Sequence, residues 1–246
     1  SQAIAKSRRR RTTNTSVKQL QTLGIVLSRT DYGEADRIVN ILTPEQGKIA
    51  VMARGVRRPK SKLAGGIELF SVSDITYIRG KGEIGTLISV RLKRHFGKII
   101  QNIERVQLGY EIIKALNRAT EDQPESEYFD ILEQAFASLD DPTINKDLIQ
   151  IWFSAQLIRQ AGHAPNLTTT SKGDKLEAGQ NYIFDYDEVS FAPKDEGAYS
   201  TDDIKFLRLL FSGNQPLVLS KVSGYESLTA KCGSLVQTMF QTYIAR

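Results

Sequence analysis

Between residues 22 and 94 apolar and polar positions alternate, in short runs rich in branched side chains. The runs are "LGIVLSR" (23–29), "DRIVNILT" (36–43), "GKIAVMAR" (47–54), "SVSDITYIR" (71–79) and "GTLISVRLKR" (85–94). Period-two alternation with Val, Ile and Leu is the pattern of a half-buried strand. Turn-forming stretches separate the runs: "DYGEA", "PEQG" and the longer "ARGVRRPKSKLAGG". The pattern predicts five strands, closed into a small barrel or paired as a sandwich.

After residue 98 the period lengthens. Ile99, Ile103, Val106, Tyr110 and Ile113 fall at helical spacing, as do Phe129, Leu132, Phe136 and Leu139. A third stripe, Ile144, Leu148, Ile151, Trp152, Ala155 and Ile158, stops at Gly162. Residues 163–198 read as irregular, with one strand-like segment, "NYIFDY". "STDD" at 200–203 predicts a helix start before "IKFLRLLF", and a last helix carries Leu228, Cys232, Leu235, Val236, Met239 and Phe240 on one face. The fold class is therefore α+β: a basic arm over 1–19, a barrel over 20–97 and a mostly α-helical region over 98–246. Five strands in roughly 75 residues suit the oligonucleotide-binding (OB) barrel, a fold that presents loops to a nucleic acid.

Charge sharpens this reading. The chain of 246 residues has a net charge of +5, distributed unevenly. Residues 1–105 carry 21 Lys and Arg against 8 Asp and Glu, whereas the remainder carries 12 against 20. The basic half expects a polyanion. It contains no basic amphipathic helix that would favour a membrane surface, and no run of apolar residues is long enough to span one. A soluble intracellular protein is expected.

The densest cations are Arg54, Arg57, Arg58, Lys60 and Lys62, inside the long third connection. Arg29, Arg79, Lys81, Arg91, Lys93 and Arg94 lie on strands or at their ends. Phosphates require Lys or Arg in number more than in exact spacing, so these are the candidate DNA-binding residues. Single strands also need aromatic platforms. Tyr32 in its turn is the candidate, while Phe70, Tyr77 and Phe96 can equally be core. Two other chemistries are weak. "RGKGEIG" (79–85) lacks the spacing of a phosphate-cradling loop and reads as a hairpin turn. Asp31, Glu34 and Asp36 could hold a metal for nuclease chemistry, but no partner cluster accompanies them. His95 and His163 have no nucleophile beside them, and Cys232 lies in an apolar stripe. The residues thus predict a nucleic-acid-binding protein rather than an enzyme, with no cofactor and no metal. An RNA-binding OB factor is the alternative.

Several motifs coincide with one family. "DYGEADRI", "LTPEQG", "ARGVRRPKSK", "IELFSV" and "EIGTLISV", in this order over about 22–100, together with "AGHAPNL" further on, closely resemble the bacterial recombination mediator family RecO. The resemblance implies an N-terminal OB barrel, a helical region and a role in DNA repair without catalysis. It further implies binding of single- and double-stranded DNA, annealing of complementary strands, and help in loading the recombinase on coated single strands. The implied partners are RecR and the acidic C-terminal tail of single-strand-binding protein. That tail needs an apolar pocket rimmed by cations, for which Lys114, Arg118 and Arg159 are candidates. Many relatives carry a four-cysteine zinc module. Here its place reads "LTTTSKGDKLEAG" and "DEGAYSTDD", so zinc is not carried over.

Overall fold

The computed structural model of the chain describes residues 18–120 and 126–245. The predicted basic arm, up to residue 17, lies outside the described residues.

The five strands form where alternation predicts them: β1 (Gln19–Tyr32), β2 (Asp36–Thr43), β3 (Gly47–Ala53), β4 (Ser71–Ile78) and β5 (Ile84–His95). They close into a barrel in the order β1-β2-β3-β5-β4, through antiparallel ladders and one short parallel pairing of β3 with β5. β1 is long because its first half pairs with β4 and its second half with β2. Val26, Val39, Ile41, Val51, Ile75, Tyr77 and Leu87 point inward and form the barrel's own core. Of the outward residues, Ile25, Leu42 and Val72 are also buried, because helices cover that side.

Beyond the barrel, α1 (Ile103–Ala119), α2 (Ser126–Asp140) and α3 (Lys146–Gln160) follow one another and pack together. Asn102 and Asn145 cap α1 and α3 by accepting from Arg105 N (3.1 Å) and Asp147 N (2.7 Å). Phe129, Leu132, Phe136 and Leu139 are all buried, as their spacing predicts. The first stripe differs. Residues 99–101 form a separate short 3-10 turn, and Asn102 restarts the chain in extended conformation. The helical phase resets there, so the buried face of α1 is Arg105, Leu108, Gly109, Ile112, Ile113 and Leu116. Ile103 and Tyr110 are left 70% and 52% exposed. Arg105 is buried because its guanidinium donates to the carbonyls of Leu139 (2.9 Å), Pro142 (3.3 Å) and Ile144 (2.6 Å), closing the end of α2.

Where the sequence suggests an irregular stretch, the structure has a second sheet. β6 (Asn166–Thr170), β7 (Asn181–Asp185), β8 (Ser190–Pro193) and β9 (Tyr199–Ser200) pair in the order β6-β8-β7-β9. These strands are two to five residues long, too short for alternation to register. The sheet is held by packing: Tyr182 and Phe191 are buried, and Phe191 meets Phe184 and Tyr199 edge-on at 5.1 and 5.6 Å. Then α4 (Thr201–Phe211) starts at "STDD" in a capping box between Ser200 and Asp203. The short α5 (Pro216–Leu219) follows, and α6 (Tyr225–Tyr243) lays Cys232, Leu235, Val236 and Met239 into the core against α3 and α4.

Candidate nucleic-acid interface

The register of the ladders defines a strip on the outside of the barrel. Thr30, Ile38, Met52 and Thr86 are cross-strand neighbours in one row; Ser28, Asn40, Ala50 and Ile84 form the next. Both rows are uncharged and partly or fully exposed. Beyond the first row lies the β1–β2 turn with the connection that leaves β3. Beyond the second lie Lys48, the β2–β3 turn and the β4–β5 turn. Seven residues of β3 separate these ends, about 20 Å at roughly 3.3 Å per residue.

At the first end the cation-rich loop is held against the β1–β2 turn by backbone bonds. Arg57 N donates to Ala35 O (2.9 Å), Arg58 N to Gly55 O (3.1 Å), and Gly55 N to Asp36 Oδ1 (2.6 Å). Gly33 (φ 58°) makes the turn tight enough to receive the loop. Arg54, Arg57, Arg58, Lys60 and Lys62 are all exposed. Arg57 leans on Asp31 (3.6 Å), whereas the side chains of Arg54, Arg58, Lys60 and Lys62 make no hydrogen bond or ion pair among the described residues. Tyr32 is 55% exposed beside them. Phe70, Tyr77 and Phe96 are core.

The other candidate cations do not join this group. Arg29 points into the barrel mouth and pairs with Glu68 (2.8 Å). Arg79 donates to Gln46 at the opposite end of the strip, where Lys81 is exposed in its turn and Lys48 caps the α1 carbonyl of Asn117 (3.0 Å). Arg91 and Lys93 lie on the outer β4–β5 face, both tied to Asp74 (2.9 and 3.2 Å). Arg94 sits over the ring of Phe96, 4.6 Å from its centroid, and faces the helices. Arg37, which the sequence reading passed over, is at the mouth bonded to Asp31 (2.8 Å); its place directly opposite Asp31 across the hairpin was the available signal.

The nearby carboxylates are occupied. The hydrogen bond from Arg37, with the charges of Arg57, Arg37 and Arg29, holds the Asp31 carboxyl below its usual value against the opposing effect of burial. Arg91 and Lys93 do the same to Asp74. With Asp31 held by Arg37 and Asp36 by Gly55 N, two of the three acids of the turn are structural, and among the described residues no group of three or more His, Cys, Asp and Glu is placed to hold a metal. A four-cysteine zinc set does not fit this chain, whose single cysteine, Cys232, is buried.

On the helical side, a cleft of about 220 Å³ has an apolar floor of Leu108, Ile112, Phe153 and Phe240, with Lys114 and Arg118 at its rim beside Glu111. Arg159 lies elsewhere, against Gly213, where an added Cβ would come within 2.9 Å of its Nη1. No described helix is long and apolar enough to cross a membrane.

Residues 17–96 match the family described as "Recombination protein O N terminal", and residues 101–246 match "Recombination protein O C terminal". The chain belongs to the recombination protein O family. Relatives called "DNA repair protein RecO" include that of Halalkalibacterium halodurans, 32% identical over 145 residues (58% of this chain, 56% of that protein). The Rhodopirellula baltica protein is 34% identical over 146 residues (58% and 53%). The Dehalococcoides mccartyi protein is 30% identical over 171 (69% and 67%). The chain thus spans little more than half the length of the first two relatives. The barrel with its basic loop falls in the N-terminal match of this family, and the Lys114–Arg118 cleft in the C-terminal one.

Proposed function

We propose that this chain is a DNA repair mediator that binds single- and double-stranded DNA on its barrel, anneals complementary strands and helps load the recombinase on coated single strands. The observation that carries this reading is the loop at 54–62: five exposed cations, four of them without a partner among the described residues, fixed by backbone bonds beside the exposed ring of Tyr32. Groups left unpaired on a rigid frame need no rearrangement to take phosphates.

A strand would cross the uncharged rows of the barrel with its phosphates held at both ends, by the 54–62 loop at one and by Lys48, Arg79 and Lys81 at the other. The OB fold commonly uses this face and these turns. Phosphate contacts carry no base information, so binding is nearly independent of sequence, as annealing requires. Neutralising the charge of two strands removes the repulsion that opposes their pairing.

The Lys114–Arg118 cleft suits the acidic, apolar-tipped tail of single-strand-binding protein, and RecR is the second expected partner. Such work is done in the cytoplasm, at the nucleoid.

The test is annealing of complementary oligonucleotides coated with single-strand-binding protein. The comparison is with Arg57, Arg58, Lys60 and Lys62 changed to Ala. The native chain should anneal and the variant should not. With about five phosphates neutralised, log K against log salt should fall with a slope near −3.5 on single strands. A flat salt response, or tighter binding to RNA than to DNA of the same sequence, would overturn the reading.

A further inference from the structure

One cleft among the described residues is ill suited to DNA. It has a volume of about 430 Å³ and lies between the end of β5, the outer face of α2 and α5. Asp130, Glu133, Gln134, Ala137, Ser138 and Asp141 line it from α2 and its end. Their spacing, i, i+3, i+4, i+7, i+8, i+11, makes them one continuous face of about three turns, roughly 17 Å long. Ile144 and Leu217 supply apolar walls, and Leu217 and Val218 stand 45% and 52% exposed on the short α5.

Three carboxylates against the single guanidinium of Arg94 make the lining net acidic, which repels phosphate. Ser138 is the second observation. It is 7% exposed and lines the cleft, and no hydrogen bond to its hydroxyl is formed among the described residues. A helical serine usually satisfies its hydroxyl on the carbonyl four residues back; this one does not, and its Oγ opens to the cleft, where an occupant can reach it.

We propose that this cleft is a protein-docking groove for a basic amphipathic helix of a partner protein. The apolar side of that helix rests on Ala137, Ile144 and Leu217. Small side chains at 137 and 138 allow the close approach that helix packing needs. Its Lys or Arg residues meet Asp130 and Glu133, while Asp141, whose Oδ1 accepts from Thr143 N (2.9 Å) and Oγ1 (2.7 Å), adds its charge at the end of the groove. Arg94, parked on Phe96, is left to the one end of the occupant that carries carbonyls or an acid. Docking here leaves the basic loop at 54–62 free, so the partner and DNA can be held together.

The test is binding of a fluorescent three-turn Lys/Leu amphipathic peptide to the full chain, with a Lys/Ser peptide of equal charge as the control. The native chain should bind the Lys/Leu peptide at least tenfold more tightly than the control. Asp130→Lys with Glu133→Lys should abolish that difference while single-strand DNA binding is retained. Leu217→Asp, on an exposed residue, should do so without disturbing the fold. Equal binding of both peptides, or peptide binding unchanged in the variants, would overturn the proposal. So would a native chain that self-associates in sedimentation and becomes monomeric with Leu217→Asp, because the occupant would then be a second copy. Loss of DNA binding in the native chain would sink the mediator reading and leave this one standing.

Discussion

Phe70 lies directly on Gly109: a Cβ built on that glycine would come within 2.6 Å of Phe70 Cε1. Here the barrel meets the helices. Phe70 is held with φ 56°, an uncommon conformation for a bulky residue, and its ring also meets Phe136 edge-on at 5.2 Å. The glycine is what lets α1 approach this closely. Gly109→Val should overpack the junction and cost about 1–3 kcal/mol, read as a lower urea midpoint. Ile103→Ala, on the same helix but 70% exposed, should cost much less. Equal effects would place the junction elsewhere.

Arg105 joins α1 to the end of α2 through three carbonyls. Arg105→Met keeps the stem and removes the donors, so the carbonyls of Leu139 and Ile144 lose their partner in a buried setting. A loss of about 2–4 kcal/mol is expected in chemical denaturation. Arg105→Lys should recover only part of it, since an ammonium cannot span all three acceptors.

Asp203 gives a pH signature. Burial pushes its carboxyl up, but hydrogen bonds from Lys231 (2.5 Å), Ser200 N (2.7 Å) and Ser200 Oγ (2.9 Å) outweigh this and leave it below the ordinary 3.8. A folded-state value depressed in this way contributes stability in full above the unfolded value near 3.8, and loses it as pH falls through the folded value. The stability difference between native chain and Asp203→Asn should therefore be constant from pH 5 to 7 and shrink below about pH 4. A difference that does not change with pH would mean that the charge of Asp203 is not what stabilises α4.

Asp74 restrains Arg91 and Lys93 on the outer face of the barrel. If that face touches the nucleic acid, Asp74→Asn should tighten single-strand binding at low salt and steepen the salt dependence, by about 0.7 in slope for each phosphate gained. An unchanged titration would remove Arg91 from the binding path and confine it to the two ends of the strip.

Cys232 is fully buried, and desolvation, with the Asp203 charge, pushes its thiol up to about 12. It should resist alkylation at pH 8 in the native state and react at once in denaturant. Native reactivity would show that α6 opens readily from α3 and α4.

The short runs "LGIVLSR" and "DRIVNILT" were enough to predict strands, because branched apolar residues between turn signals favour extended chain, although only the helices decide that Ile25 and Leu42, on the outer face, are also buried. The cations at 54–62 were equally legible, since a run so polar has no place in a core. The reset at Asn102 was not: Ile99 and Ile103 keep helical spacing in the sequence, and only the packing of Gly109 on Phe70 decides which side of α1 is buried. Nor did sequence tell that Arg29, Arg91 and Arg94 are claimed by Glu68, Asp74 and the Phe96 ring: Glu68 lies far along the chain from Arg29, Asp74 meets Arg91 only through the register of β4 with β5, and the fold of Arg94 onto the nearby Phe96 ring is a matter of side-chain conformation. The sequence by itself determined the element types and the charge of each half, which are local properties. Which cations remain free for a phosphate was decided by the tertiary structure, because an ion pair depends on residues far apart in the chain meeting within a few ångströms.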